Sequence, residues 1–176
     1  TIHISWHPPK PGMYKLNIDG AFDPNTHRGG VGGVFRYSIG DWLGGYCKPL
    51  YFTNVLQAEL LALYYGLSFA INRSLTPLIV EIDSQILIAL LPSGNHKYLH
   101  IFNACRLMLY ELHMPIIQHT FKEGNGVADA LACFGRDMQI TQPQDVMLFE
   151  NPPPFMLTHS FLDSAGTATA CSVPSL

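Results

Sequence analysis

Four acidic residues of this chain could together bind divalent cations: Asp19, Glu59, Asp83 and Asp129. Carboxylates brought to one place repel each other, so such a cluster is favourable only around cations. Hard oxygen ligands select Mg²⁺, with Mn²⁺ as a substitute. Two such ions about 4 Å apart are the usual device for phosphodiester cleavage, in which one ion activates water and the other stabilises the leaving oxygen. The four acids therefore predict a two-ion site.

Two predicted strands position the first and third of these acids. Residues 14–18 alternate apolar and polar side chains, the two-residue period of a strand, and Asp19 follows them. Residues 78–82 form a short apolar strand of the kind covered on both faces, and Asp83 follows it. If these strands are neighbours, both carboxylates leave the sheet at one edge. Taken alone, Asp19 followed by Gly20 also fits a hairpin turn.

Two predicted helices position the other two acids. Asn54 can cap a helix in which Glu59 lies near the first turn, where the helix dipole tolerates a negative charge. Asn125 is predicted to cap a later helix that Gly135 ends, with Asp129 in its first turns. Taken alone, Glu59 fits a solvated first-turn residue equally well.

The other elements complete a mixed α/β pattern. Further strands are predicted at 32–37, 42–50 and 116–121, and further helices at 85–91 and 99–112. The order is therefore β-β-β-α-β-α-α-β-α. The first three strands form an antiparallel meander.

The composition indicates one globular domain between two irregular ends. We assign residues 1–13 to an extended leader, 14–137 to the domain, and 138–176 to a Pro-rich, partly irregular tail. Among 176 residues, 48% are hydrophobic and 13% charged, and no apolar run approaches the roughly 20 residues of a membrane span. Four widely spaced cysteines indicate reduced thiols and an intracellular location, with nucleus or cytoplasm left open. A net charge of −3 argues weakly against a protein that grips nucleic acid by bulk electrostatics.

Four segments, KLNIDGA, QAELLAL, VEIDSQ and HTFKEGNGVADALA, follow the leader WHPPKPG in this order. Together they resemble a type 1 ribonuclease H domain of the retroelement-derived, reverse transcriptase-like group of plants. The resemblance implies a ribonuclease H-like fold, whose central five-stranded mixed sheet has the strand order 3-2-1-4-5 and is flanked by helices. It also implies cleavage of the RNA strand of an RNA–DNA hybrid, with the four acids as metal ligands.

The same resemblance implies one further catalytic residue. His119 stands ten residues before Asp129, the spacing at which bacterial members of the family place a mobile catalytic histidine. It also falls within a predicted strand and could instead point at solvent or core. Lys122 is an alternative cation for the same role. His96 and His100 have metal-ligand spacing but are more typical of a solvated segment.

Substrate contacts follow from the resemblance more loosely. Ser84 and Gln85 match a Ser-Gln pair that touches the minor groove of the hybrid, and Asn54 approximates an asparagine in that groove. Gly20 and Asn125 border the metal site. A protein that reads the 2′-hydroxyls in the minor groove can tell RNA from DNA without a base code.

Some members of the family carry a basic helix-loop handle between the second and last helices. Here the only Lys or Arg residues between positions 84 and 115 are Lys97 and Arg106. The affinity for nucleic acid should therefore be low and should depend on metal. Two alternatives stay open: a domesticated domain that binds nucleic acid without cleaving it, and a 3′–5′ exonuclease of the same fold. We expect a monomer. Because the chain begins at Thr1 and not at an initiator methionine, we also expect that it can be part of a longer reverse-transcriptase polyprotein.

Overall fold

The computed structural model describes residues 2–139, 145–157 and 169–171. The strands are β1 (Ile2–Ile4), β2 (Tyr14–Asp23), β3 (Arg28–Arg36), β4 (Trp42–Leu50), β5 (Leu78–Ile82), β6 (Ile116–His119), β7 (Met147–Phe149) and β8 (Thr169–Cys171). The α-helices are α1 (Val55–Asn72), α2 (Gln85–Leu90), α3 (Leu99–Glu111) and α4 (Gly126–Asp137).

The main sheet has the order β6-β5-β2-β3-β4-β7. Strands β2, β3 and β4 form the expected antiparallel meander, and β5 and β6 run parallel to β2. The predicted order 3-2-1-4-5 is confirmed as β4-β3-β2-β5-β6. The predicted count of five strands is wrong, because β7 adds a sixth strand antiparallel to β4. With only three residues, β7 is too short to show a two-residue period in a Pro-rich stretch.

Described parts of both end segments contact the central domain. Trp6 of the leader is 4% exposed, and Met156 is fully buried beyond β7. Strand β1 pairs with β8 in a separate two-stranded sheet. The division at residues 13 and 137 stays a prediction, but the described parts of both end segments are packed against the central domain.

Helix α1 covers one face of the sheet. Leu16 and Ile18 of β2 are fully buried against a stripe of α1 that includes Leu60, Leu63 and Leu67. By length and composition α1 is apolar enough to cross a membrane, but half of it is buried inside the protein. Such burial is the ordinary environment of a core helix, so its apolar character is explained by packing.

A buried polar network occupies part of the opposite face. The side-chain oxygen of Asn17, Oδ1, accepts hydrogen bonds from Trp6 Nε1 at 2.9 Å and Arg36 Nη2 at 2.8 Å. The Asn17 amide donates to Glu81 Oε2 at 2.7 Å, and Lys15 Nζ pairs with Glu81 Oε1 at 2.6 Å. Because Asn17 and Glu81 are register partners, the network fixes the pairing of β2 with β5 and explains how a charged residue fits inside β5.

Helix α4 covers the rest of that face and lies directly on the backbone of β3. A Cβ added to Gly32 would fall on the backbone nitrogen of Ala132 and lie 2.7 Å from the carbonyl oxygen of Ala128. Helix α4 continues past Gly135 to Asp137, so this glycine does not end the helix. A Cβ at Gly135 would lie 2.9 Å from the Lys48 carbonyl oxygen. The predicted helix end at Gly135 is therefore wrong: this glycine permits close packing.

We expect Gly32→Ala to destabilise the fold by about 3 kcal/mol, because the added methyl meets helix backbone that cannot rotate away. Urea unfolding measures this loss. Gly44→Ala in β4 is the matched control: its Cβ meets the Phe69 ring edge at 3.0 Å, and a side chain can yield. Equal losses in both variants would contradict the backbone-contact interpretation.

Candidate metal centre

The carboxylates of Asp19, Glu59 and Asp83 converge at one edge of the sheet. Each offers a ligand oxygen, and these oxygens all lie within 4.8 Å of one another. We call these three residues the acid trio. Asp19 does not end its strand as predicted, because β2 continues to Asp23 in pairing with β3. The edge is created by β5, which ends at Ile82, the register partner of Ile18, so Asp83 leaves β5 beside Asp19.

Glu59 lies in the second turn of α1 and is only 6% exposed. The predicted position early in the helix is confirmed, and the solvated interpretation is wrong. Gly20 explains how α1 reaches the trio, since a Cβ at Gly20 would lie 2.5 Å from the Glu59 backbone nitrogen. Gly20 continues β2 beside Asp19, so the hairpin-turn alternative is also wrong.

Asp129 lies beside the trio in the first turn of α4, as predicted. Its Oδ1 pairs with Lys122 Nζ at 3.2 Å. Its charge also acts on Asp19 and contributes to the raised pKa of that residue. All four predicted acids therefore share one cavity of about 260 Å³, which Lys122 also lines.

Burial and the charges of neighbouring carboxylates raise the pKa values of the acid trio. Burial first, and then the charges of Asp83, Glu59 and Asp129, raise the pKa of Asp19 to about 10. Burial and then the charge of Asp83 raise the pKa of Glu59 to about 8. Burial, reinforced by Asp129, also raises the pKa of Asp83. Each group is held in a place where its charged form is unstable without a cation.

The donor set fits a hard divalent cation. Glu59 Oε2 and Asp83 Oδ1 are buried, and no hydrogen-bond donor reaches either atom among the described residues. Unpartnered buried carboxylate oxygens are costly unless an ion uses them. The three-residue convergence supports at least one ion. The identity and number of ions remain predictions.

His119 ends β6 and lines a cavity of about 480 Å³ with Asp83, Gln85 and Lys122. The ring is half-buried and stacks edge-on against Phe121 at 5.2 Å between centroids. Its position beside Asp83 permits the predicted proton-transfer role, which stays a prediction. His96 and His100 are exposed, which agrees with the solvated interpretation.

Two of the proposed substrate residues cap helices. Ser84 Oγ accepts from Leu87 N at 3.2 Å at the start of α2, and the neighbouring Gln85 is exposed and faces the His119 cavity. Asn54 Oδ1 accepts from Gln57 N at 3.0 Å at the start of α1. Substrate contact by each stays a prediction.

Asn125 occupies the N-cap position of α4, as predicted, but its almost fully buried side chain makes no capping hydrogen bond. Its amide instead donates to the Ile18 carbonyl at 2.8 Å and accepts from Asn17 at 3.1 Å. These bonds tie the start of α4 to the residue before Asp19. Its contact with substrate, like that of Gly20, stays a prediction.

Cys133 and Arg136 of α4 also line the acid cavity, and neither was singled out from the sequence. Cys133 Sγ lies 4.0 Å from Asp129 Oδ1. The one sequence signal for both was helical spacing, since they follow Asp129 by four and seven positions on α4. Arg136 pairs with Asp137, so its charge is partly engaged away from the four acids.

Comparisons with known proteins agree with this geometry. The ribonuclease H1 of the halophilic archaeon Halobacterium salinarum superposes with a TM-score of 0.66 at 25% identity, covering 72% of this chain and 98% of that one. LC11 ribonuclease H1, solved in complex with an RNA/DNA hybrid, gives 0.64 at 20% identity over 70% and 96% of the two chains. The prototype foamy virus protease–reverse transcriptase gives 0.63 at 21% identity over 76% and 22%.

The sheet order and the acid cluster thus define a ribonuclease H-like domain. The sequence profile of the reverse transcriptase-like family matches residues 17–135. The chain belongs to that family. A protein of Arabidopsis thaliana, provisionally named a ribonuclease H protein, is 31% identical over 140 residues. The match covers 78% of this chain and 23% of the relative, so the chain spans about a quarter of that protein's length.

Proposed function

We propose that this domain cleaves the RNA strand of RNA–DNA hybrids with the help of two divalent ions, Mg²⁺ or Mn²⁺. The observation that carries the proposal is the acid trio, whose ligand oxygens lie within 4.8 Å of one another with Asp129 beside them. When bound, the ions would activate water and stabilise the leaving oxygen. A family whose relatives include ribonucleases H supports the choice of substrate.

The chain's own residues have distinct tasks in this proposal. Asp19, Glu59 and Asp83 would hold the cations. Asp129 completes the ligand set. His119 lines the cavity beside Asp83, which supports a role in proton transfer. Ser84 and Gln85, in the same cavity, are placed to meet the 2′-hydroxyls of the RNA strand.

We also propose that the domain works within a longer polypeptide and inside the cell. The partial match to a much longer relative supports the first point. The thiols of Cys47, Cys105 and Cys133 are free, which supports the second.

A cleavage assay tests the proposed reaction. The substrate is an end-labelled RNA–DNA hybrid, incubated with Mg²⁺, with Mn²⁺ and with chelator. Internal cuts in the RNA strand that need metal are the expected result. Stepwise shortening from the 3′ end would identify an exonuclease, and binding without cleavage under both metals would identify a domesticated binding domain.

Binding to the hybrid should be weak and only slightly salt-dependent. The two Lys or Arg residues of segment 84–115 already have partners within the protein. Arg106 Nε donates to the Leu91 carbonyl at 2.7 Å, and Lys97 lies over the Tyr98 ring at 5.2 Å. We expect the slope of log affinity against log salt to indicate about three phosphate contacts or fewer. Fluorescence anisotropy with Ca²⁺ measures this slope on a hybrid and on duplex DNA of the same sequence. Nanomolar binding to duplex DNA with a steep slope would contradict it.

A further inference from the structure

The four acids of the centre are not equivalent in this structure. The ligand oxygens of Asp19, Glu59 and Asp83 lie within 4.8 Å of one another, and among the described residues no hydrogen-bond donor reaches the buried Glu59 Oε2 and Asp83 Oδ1. Asp129, in contrast, already has a cation: Lys122 Nζ lies 3.2 Å from its Oδ1. One part of the ligand set is therefore open to an ion, while the other is engaged by a side chain.

The ion pair between Lys122 and Asp129 can open easily. Lys122 begins a single 3₁₀ turn, Lys122–Gly124, directly before α4, and its side chain is 72% exposed. An exposed ion pair of this kind contributes little stability, so it can open at little cost. The ammonium group can leave Asp129 for solvent without any movement of β2, β5 or α4.

The charge of Lys122 also acts on the trio. Its ammonium group lies 3.2 Å from Asp129 Oδ1, and the acid trio lines the same cavity as Lys122. The same charge opposes the rise that burial imposes on the pKa of Glu59 and of Asp83. Lys122 thus supplies part of the positive charge that an ion would otherwise bring.

We propose that Lys122 is a built-in competitor for the ion that uses Asp129 as a ligand. A first ion binds the trio while Lys122 keeps its contact with Asp129. A second ion, for which Asp129 is needed, must displace the ammonium group. This inference rests on the proposed two-ion function and adds a regulatory property to it: the second ion binds only at higher free Mg²⁺, so the concentration of free Mg²⁺ gates the fully loaded site.

Ion binding by the full chain, measured by isothermal titration calorimetry with Mn²⁺, tests the proposal without reference to activity. For the wild type we expect a tight and a weak class of sites. Lys122→Met should tighten the weak class about fivefold or more, because removing one opposing charge near a carboxylate has an effect of this size. The tight class should change by less than twofold. Lys122→Arg keeps the charge and should leave both classes near wild type.

Arg73→Met is the matched control. Arg73 is also an exposed cation paired with an exposed carboxylate, Glu150. It lies 14 positions beyond Glu59 along α1, which is about 21 Å of helix, and should change neither class.

The outcomes separate this inference from the proposed function. If Lys122→Met leaves both classes unchanged, or tightens both equally, Lys122 is not a competitor for one ion and the inference is wrong, while the proposed reaction stands. If the wild type binds one ion and Lys122→Met gains a second, the inference is supported; if no second ion appears, it is wrong. If neither protein binds Mn²⁺, both proposals fail.

Discussion

Asp83→Asn should reduce hydrolysis of an RNA–DNA hybrid at least about 10³-fold and leave the fold intact, because the amide keeps the shape of a metal ligand and loses its charge. Asp83 follows β5 and contributes one of the three converging oxygens. Initial rates in saturating Mg²⁺ give the ratio, and circular dichroism gives the fold.

Asp41→Asn is the control for this loss. Asp41 is an exposed carboxylate just before β4 and is not among the residues that line the acid cavity. Its replacement removes the same charge and should leave the rate within about twofold, since an exposed charge outside the cavity has little effect there. If Asp83→Asn cleaves the hybrid at the wild-type rate, the acid trio does not carry the reaction.

In the absence of metal, the protein should lose stability as the pH rises from about 5 to 9. The pKa of Asp19 is raised to about 10 and that of Glu59 to about 8, both above their values in the unfolded chain. The folded state therefore binds more protons than the unfolded state in this range. The resulting stability is fully present below pH about 4 and is lost as the pH rises through the folded values, at up to about 1.4 kcal/mol per pH unit for each group.

Urea unfolding in chelator from pH 5 to pH 9 measures this loss, and Mg²⁺ should reverse most of it by binding only the folded state. Asp19→Asn should raise the metal-free stability at pH 8, on the order of 2 kcal/mol, because the amide is neutral without having to take up a proton on folding. Asp41→Asn again serves as the control. A flat pH profile together with a destabilised Asp19→Asn would mean that cations of the protein already compensate these acids.

Much of the fold was predictable because its signals are periodic or local. The alternation in β2, the apolar run of β5 and the cap of α1 predicted these elements along the chain, and the family resemblance supplied the correct order of the five predicted strands in the sheet. The meeting of Asp19 with Asp83 followed from that order. The predicted proximity of Asp19 and Asp83 did not depend on where β2 ends, so the error in the end of that strand did not affect it.

The features that were missed depend on contacts between distant residues. Asn125 has the residue type and position of a helix cap, but its amide bonds Ile18 and Asn17, more than 100 positions away. Gly135 has the type of a helix stop, but the approach of Lys48 in β4 is what requires a glycine there. Strand β7 exists only because the edge of β4 is available to pair with it.

The way in which Gly20 lets α1 approach β2 has a consequence for preorganisation. Asp19 and Asp83 are held by adjacent hydrogen-bonded strands, and Glu59 by a helix backbone in contact with one of them. Asp19 and Glu59 are buried, so their side chains have already lost most of their rotamer freedom when the chain folds. An ion that reaches the trio therefore orders little further structure, and the conformational entropy of assembling its ligands has been spent in folding rather than in binding.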